Sequence, residues 1–177
     1  LKALRPDIET LLLRGNVETR LRKLAEGEFD AIVLASAGLN RLGLAAHITE
    51  LLDTERSIPA VGQGIVGIEC RTDDARSREL TAALNDRTAE VCITAERAFA
   101  RRLEGSCQSP IAGFAELSGS VLTLRGMVGS MSGDVLFRGR TAGPADTAAS
   151  LGLNLAERLL SEGADKLLEE MRAGAPS

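Results

Sequence analysis

The hydrophobic pattern of this 177-residue chain changes character once, across residues 103–110, and that change limits the folds open to it. Upstream, short apolar runs alternate with helical spacing. Residues 10–13 and 30–35 read as buried strands. Asn16 is a good N-cap for a helix carrying Val17, Leu21, Leu24 and Ala25, and Ser36 is placed to cap a second one carrying Leu39 and Leu42. Strand–helix–strand–helix with near-continuous apolar strands predicts an α/β fold with a parallel sheet and right-handed crossovers. Residues 57–70 form a turn-rich connection entering another apolar strand. Helices are expected over 73–84 and 89–103, the latter with Val91, Ala95, Ala98, Phe99 and Arg102 near one face. Downstream, the runs 111–117, 121–128 and 135–140 alternate with short glycine turns, which predicts a three-stranded antiparallel meander. Two helices should follow, over 145–162 and 164–172, divided by Gly163. The expected divisions are 1–58, a turn-rich, hinge-like crossing between lobes over 59–86, and a small α+β domain over 87–177.

Composition removes several classes of function. Aromatic residues make up 2% of the chain, with no Trp or Tyr, and the net charge is −4. Neither a stacking platform nor a basic field for nucleic acid is available. No apolar run is long enough for a membrane span. His47 is the only histidine, so Ser-His-Asp chemistry and multi-histidine metal sites are close to excluded. Cys70, Cys92 and Cys107 are odd in number and lack a C-x-x-C pair, which fits a reducing, cytoplasmic compartment and no structural metal.

Two features carry chemistry. Cys107 lies in Gly105-Ser-Cys-Gln-Ser-Pro110, between a helix end and a strand start. Local turn chemistry there makes it a candidate reactive or derivatised thiol, while its position alone leaves a small buried hydrophobe equally open. The second feature is the basic residues, 18 Arg against 3 Lys. Arg14 follows the first apolar run, Arg20 sits in the helix after it, and Arg41 comes early in the next. All three are expected at the carboxyl edge of a parallel sheet, where open α/β folds bind ligands. Guanidinium groups clamp carboxylates bidentately, so a polycarboxylate ligand is indicated. The Gly62-Gln63-Gly64 turn lacks the spacing and lysine of a phosphate-binding loop.

With these pieces assembled, the sequence closely resembles the porphobilinogen deaminase (hydroxymethylbilane synthase) family. The matching stretches are Arg-Gly-Asn-Val-Glu-Thr-Arg-Leu at 14–21 and Ala-Ser-Ala-Gly-Leu-Asn-Arg-Leu-Gly at 35–43. Pro-Ala-Val-Gly-Gln-Gly-Ile-Val-Gly-Ile-Glu at 59–69 and Glu-Arg-Ala-Phe, then Leu-Glu-Gly-Ser-Cys-Gln-Ser-Pro-Ile, within 96–111 complete the set. The resemblance implies type II periplasmic-binding-protein-like lobes, incomplete in this chain, plus the small C-terminal domain. Residues 1–58 would then be the remainder of a second domain bearing the arginine rim. The resemblance also implies a transferase that builds a linear tetrapyrrole from porphobilinogen on a dipyrromethane cofactor held as a thioether by Cys107. Arg14, Arg20 and Arg41 would bind the carboxylates of cofactor and substrate, with Gln63 near the substrate. The family's catalytic aspartate matches no residue here, so no catalytic residue is assigned, and the chain alone is expected to need the amino-terminal part of the same enzyme. A non-catalytic anion-binding module of the periplasmic-binding type is the alternative. It accounts for the arginines but leaves Cys107 without a role.

Overall fold

The computed structural model describes residues 1–104 and 110–173, and the chain separates into two compact units, Leu1–Arg56 and Ser57–Ser177. In the first, helix α1 (Val17–Ala25) starts where the Asn16 side chain accepts the Thr19 amide at 2.8 Å. It stops before Gly27, which holds φ +78°. Helix α2 (Ser36–Arg41) has Ala35 at its N-cap with no side-chain cap, so Ser36 is the first helical residue and not the cap expected. Leu39 is the buried residue of this unit among those described. A 3-10 turn, Ala45–His47, follows, and His47 is exposed.

The apolar runs at 10–13 and 30–35, and the one expected over 65–71 in the second unit, form no strand among the described residues. Leu11, Leu12, Val33, Val66 and Ile68 are exposed instead. A strand exists only through its ladder and the surface it covers. The described residues supply no strand to pair with these runs.

From residue 73 onward the elements of the second unit follow the expected order, with shifted ends. Helix α3 (Ala75–Ala82) is capped by Asp74, which accepts the Ser77 amide, and helix α4 (Arg87–Arg102) is capped by Asp86, which accepts the Ala89 amide. Strands β1 (Ile111–Ser118), β2 (Val121–Gly129) and β3 (Leu136–Pro144) form an antiparallel sheet in the order β1-β2-β3. Helix α5 (Ala148–Leu159) and helix α6 (Asp165–Ala173) are joined by a wide turn, Leu160–Ala164, in which Gly163 takes φ +115°.

Helices α4 and α5 cover one face of the sheet. β2 shows the period-2 burial of a half-covered strand, with Leu122, Leu124, Gly126 and Val128 buried. The registers Gly113↔Gly126 and Gly126↔Gly139 run a row of glycines across all three strands. Phe99 of α4, wholly buried, lies over that row: a Cβ on Gly126 would come within 2.5 Å of its ring, and one on Gly113 within 3.4 Å. The space left by the missing side chains in the sheet is therefore filled by one aromatic ring from the helix. The expected helix face was wrong at one position. Leu103 completes the buried stripe, whereas Arg102 is exposed and pairs with Glu157 of α5 at 2.5 Å.

The two helices approach closely at Gly152, where an added Cβ would overlap the carbonyl oxygen of Ala95 and sit 2.8 Å from the Phe99 nitrogen. Alanine is the better helix former by about 1 kcal/mol. The obstacle, however, is backbone, so the helices must separate at a cost of about 1–3 kcal/mol or more. We expect Gly152→Ala to lower the urea midpoint of unfolding at unchanged slope. A midpoint equal to or above the parent's would show that the helix contact is looser than described.

Candidate functional site

Arg14, Arg20 and Arg41 all lie in the first unit, and Gln63 lies in the second. Arg14 precedes Gly15, whose φ of +122° turns the chain into α1. Arg20, in the second turn of α1, reaches back so that its Nε donates to the Gly15 carbonyl at 2.8 Å. That bond uses one donor of the guanidinium and fixes its base. Arg41 is the last residue of α2, not an early one, because the helix ends at Leu42 and Gly43, where φ is +71°. Among the described residues, Arg14 and Arg41 are exposed and have no hydrogen-bond or ion-pair partner. The expected placement of all three at a parallel-sheet edge is not found, since no such sheet forms among the described residues.

Gln63 sits at the tip of a turn closed by its own amide to the Ala60 carbonyl at 2.9 Å and by the Ile65 amide to the Gly62 carbonyl at 3.1 Å. Gly62 and Gly64 both take positive φ, +75° and +84°, so the tip depends on glycine. The side chain of Gln63 is exposed. The turn is held against β1 and α4. β1 is an edge strand, so alternate amides face away from the ladder and need acceptors. Gly113 donates to the Pro59 carbonyl at 3.1 Å, Ala115 donates to Glu96 Oε1 at 2.8 Å, and Leu117 donates to the Cys92 sulfur.

Glu96 is the residue that sequence reasoning passed over. Only 3% exposed, it is the buried charged side chain among the described residues. Oε1 accepts from Ala115 of β1 and Oε2 accepts from Gly62 at 2.7 Å, so one carboxylate joins the Gln63 turn to the sheet. The signal was present in its spacing. Cys92, Glu96, Phe99 and Leu103 recur at i, i+4, i+7 and i+11, which puts an acid inside an apolar stripe. Burial pushes the Glu96 carboxyl above the ordinary range, outweighing the two amide donors that favour its charged form.

The cysteines differ in environment. Cys92 is buried, and burial first and the Glu96 charge second push its thiol up, so it is a poor nucleophile. Cys70 is half-buried, 3.7 Å from the Thr81 hydroxyl. Cys107 lies outside the described residues. No group of three or more His, Cys, Asp or Glu that could hold a metal occurs among the described residues.

Comparison with known proteins identifies the architecture first. Residues 1–79 match the profile described as porphobilinogen deaminase, dipyromethane cofactor binding domain, and residues 90–161 match that of porphobilinogen deaminase, C-terminal domain. These are successive domains of one enzyme type, in order on one chain. The porphobilinogen deaminase of Syntrophobacter fumaroxidans is 51% identical over 171 residues, which is 97% of this chain and 55% of that protein. The chain belongs to the porphobilinogen deaminase family, and it spans about half the length of the curated relative it matches.

Glu96 makes a prediction about stability. As pH rises through the ordinary glutamate range, the unfolded chain loses this proton before the folded one does. The folded state then binds more protons, and this group's contribution to stability falls until its raised pKa is passed. Glu96→Gln should cost about 1–3 kcal/mol in acid, because an amide can accept only one of the two N–H groups. That deficit should shrink as pH increases through this window, as read from urea unfolding of both proteins. A deficit that grows with pH would contradict the raised pKa.

Proposed function

We propose that this chain carries the primer-anchoring and carboxylate-binding part of an enzyme that condenses four porphobilinogen units stepwise, with loss of ammonia, and releases hydroxymethylbilane. This is the reaction of porphobilinogen deaminase (hydroxymethylbilane synthase), a transferase of tetrapyrrole and heme biosynthesis. The observation that carries the reading is 51% identity across 97% of the chain to a porphobilinogen deaminase. The sequence Gly105-Ser-Cys-Gln-Ser-Pro110 adds an anchoring thiol.

The cofactor would be dipyrromethane, joined as a thioether to Cys107. When bound, it supplies the primer onto which porphobilinogen units are joined. The donor set of this chain fits such a group. Dipyrromethane, porphobilinogen and the growing pyrrole chain all bear acetate and propionate groups, and exposed Arg14 and Arg41 have guanidinium donors without partners among the described residues. Arg20 is pre-oriented by Gly15. Guanidinium groups stay charged at any working pH and accept carboxylates in bidentate geometry. They can exchange one carboxylate for another, so a lengthening chain can advance past them. Gln63 would contribute an amide able both to donate to and accept from the substrate. A covalent tether raises the effective concentration of each intermediate and prevents its loss between additions. The group that handles protons at ammonia loss is assigned to no residue of this chain, and the amino-terminal part of the family's length would supply it.

In this reading residues 1–58 belong to a second periplasmic-binding-like lobe, 59–86 form a hinge and return segment to the first, and 87–177 are the cofactor-bearing domain. The enzyme would work in the cytoplasm, where a nucleophilic thiol stays reduced. No helix among the described residues is long and apolar enough to cross a membrane.

In the full-length enzyme, Cys107→Ser should abolish the covalent adduct in intact mass while circular dichroism stays native. Arg14→Leu should keep the adduct but lower kcat/KM, by the equivalent of about 2–5 kcal/mol where bound substrate desolvates this exposed guanidinium. An adduct that persists in Cys107→Ser, or unchanged kcat/KM in Arg14→Leu, would refute the corresponding assignment.

A further inference from the structure

We propose that Glu96 is a positioning residue for the reaction, whose carboxylate holds the Gln63 turn and strand β1 to helix α4 as one body. The inference rests on the reading of Gln63 as a substrate contact, and it names what sets the position of that contact. The geometry is specific. One side chain on α4 takes the Gly62 amide at 2.7 Å and the Ala115 amide at 2.8 Å, from segments more than fifty residues apart in sequence. Gly62 is the residue immediately before Gln63. α4 and β1 are the two elements that flank residues 105–109 in sequence. One carboxylate therefore ties together both flanks of the Cys107 segment and the turn that presents Gln63.

Packing restricts the same turn on its other side. A Cβ on Gly62 would sit 3.2 Å from Ile93 Cδ1, and one on Gly113 would sit 3.1 Å from Val61 Cγ2. The Pro59 carbonyl accepts the Gly113 amide one step along the same edge. So the turn, although rich in glycine, is docked on the C-terminal sheet and moves with it. The two amides give Glu96 a stabilising role, and the proposal adds that the same bonds set the position of Gln63. Burying a carboxyl is costly, and an apolar residue would fill the stripe at no such cost. What an apolar residue cannot do is accept two backbone amides from two different segments.

The test uses the full-length, cofactor-loaded enzyme with Glu96→Gln, Gln63→Ala and the double variant. Hydrogen exchange is read at the Gly62 amide, with Leu124 and Val128 of β2 as internal controls for global unfolding. We expect faster exchange at Gly62 in Glu96→Gln with the β2 amides still protected. We also expect kcat/KM to fall on the order of ten- to a hundredfold, since a misplacement near 1 Å suffices for that. Adding Gln63→Ala to Glu96→Gln should then cost much less than it costs alone. Unchanged Gly62 exchange would overturn the tether. Faster exchange with unchanged kcat/KM, or full multiplication of the two single effects, would overturn the positioning role. A parent enzyme that carries no adduct on Cys107 and makes no hydroxymethylbilane would overturn the enzyme reading instead, and the exchange data alone would still report whether the tether exists.

Discussion

The open edge of β1 is the constraint on which the C-terminal unit depends. An edge strand presents alternate amides that must be satisfied or left to water and to other chains. Here Gly113, Ala115 and Leu117 meet, in turn, a carbonyl from the Pro59 turn, a carboxylate from α4 and a sulfur from α4. Closing the edge this way has two results. It fixes α4 across the sheet, so that Phe99 lies over the glycine row, and it recruits the Gly62-Gln63-Gly64 turn to a domain from which it is distant in sequence.

The arginines follow a different logic. None of Arg14, Arg20 and Arg41 contributes to a core, and among the described residues two of them have no partner at all. Exposed ion pairs elsewhere in the chain, such as Arg22 with Glu26 or Arg87 with Glu90, are local helix pairs of little energetic weight. Arginines kept free of such pairing are available to a polycarboxylate. Exposed Arg76 and Arg138 also lack partners among the described residues, so the family resemblance, and not freedom from pairing, is what singles out Arg14, Arg20 and Arg41 for the proposed role.

Much of the C-terminal unit was legible in the sequence because its signals are local. Strand alternation, Ser118-Gly119 between β1 and β2, and Gly163 between the last helices each act over a few residues. The three expected strands correspond to β1, β2 and β3, with ends moved by a few residues. The apolar runs in the first unit misled, because a run of leucines reports a need for burial and not the presence of a neighbour. Ser36 misled because Ala35 already supplies the extended residue before α2, leaving the serine inside the helix. Glu96 was missed because its partners are backbone amides of Gly62 and Ala115, which no side-chain pattern announces. The arginine and cysteine motifs were visible, but the chemistry they serve came from family resemblance and not from periodicity.

The account stands on Cys107 being the thiol that is derivatised, with buried Cys92 and half-buried Cys70 left free. Tryptic mapping of freshly purified full-length enzyme tests this directly, because residues 103–125 form one peptide with Cys107 as its sole cysteine. The account predicts that this peptide carries the added mass of two pyrrole units and that the peptides bearing Cys70 and Cys92 do not. An unmodified 103–125 peptide from enzyme that turns over porphobilinogen, or the added mass on Cys70 or Cys92, would contradict it.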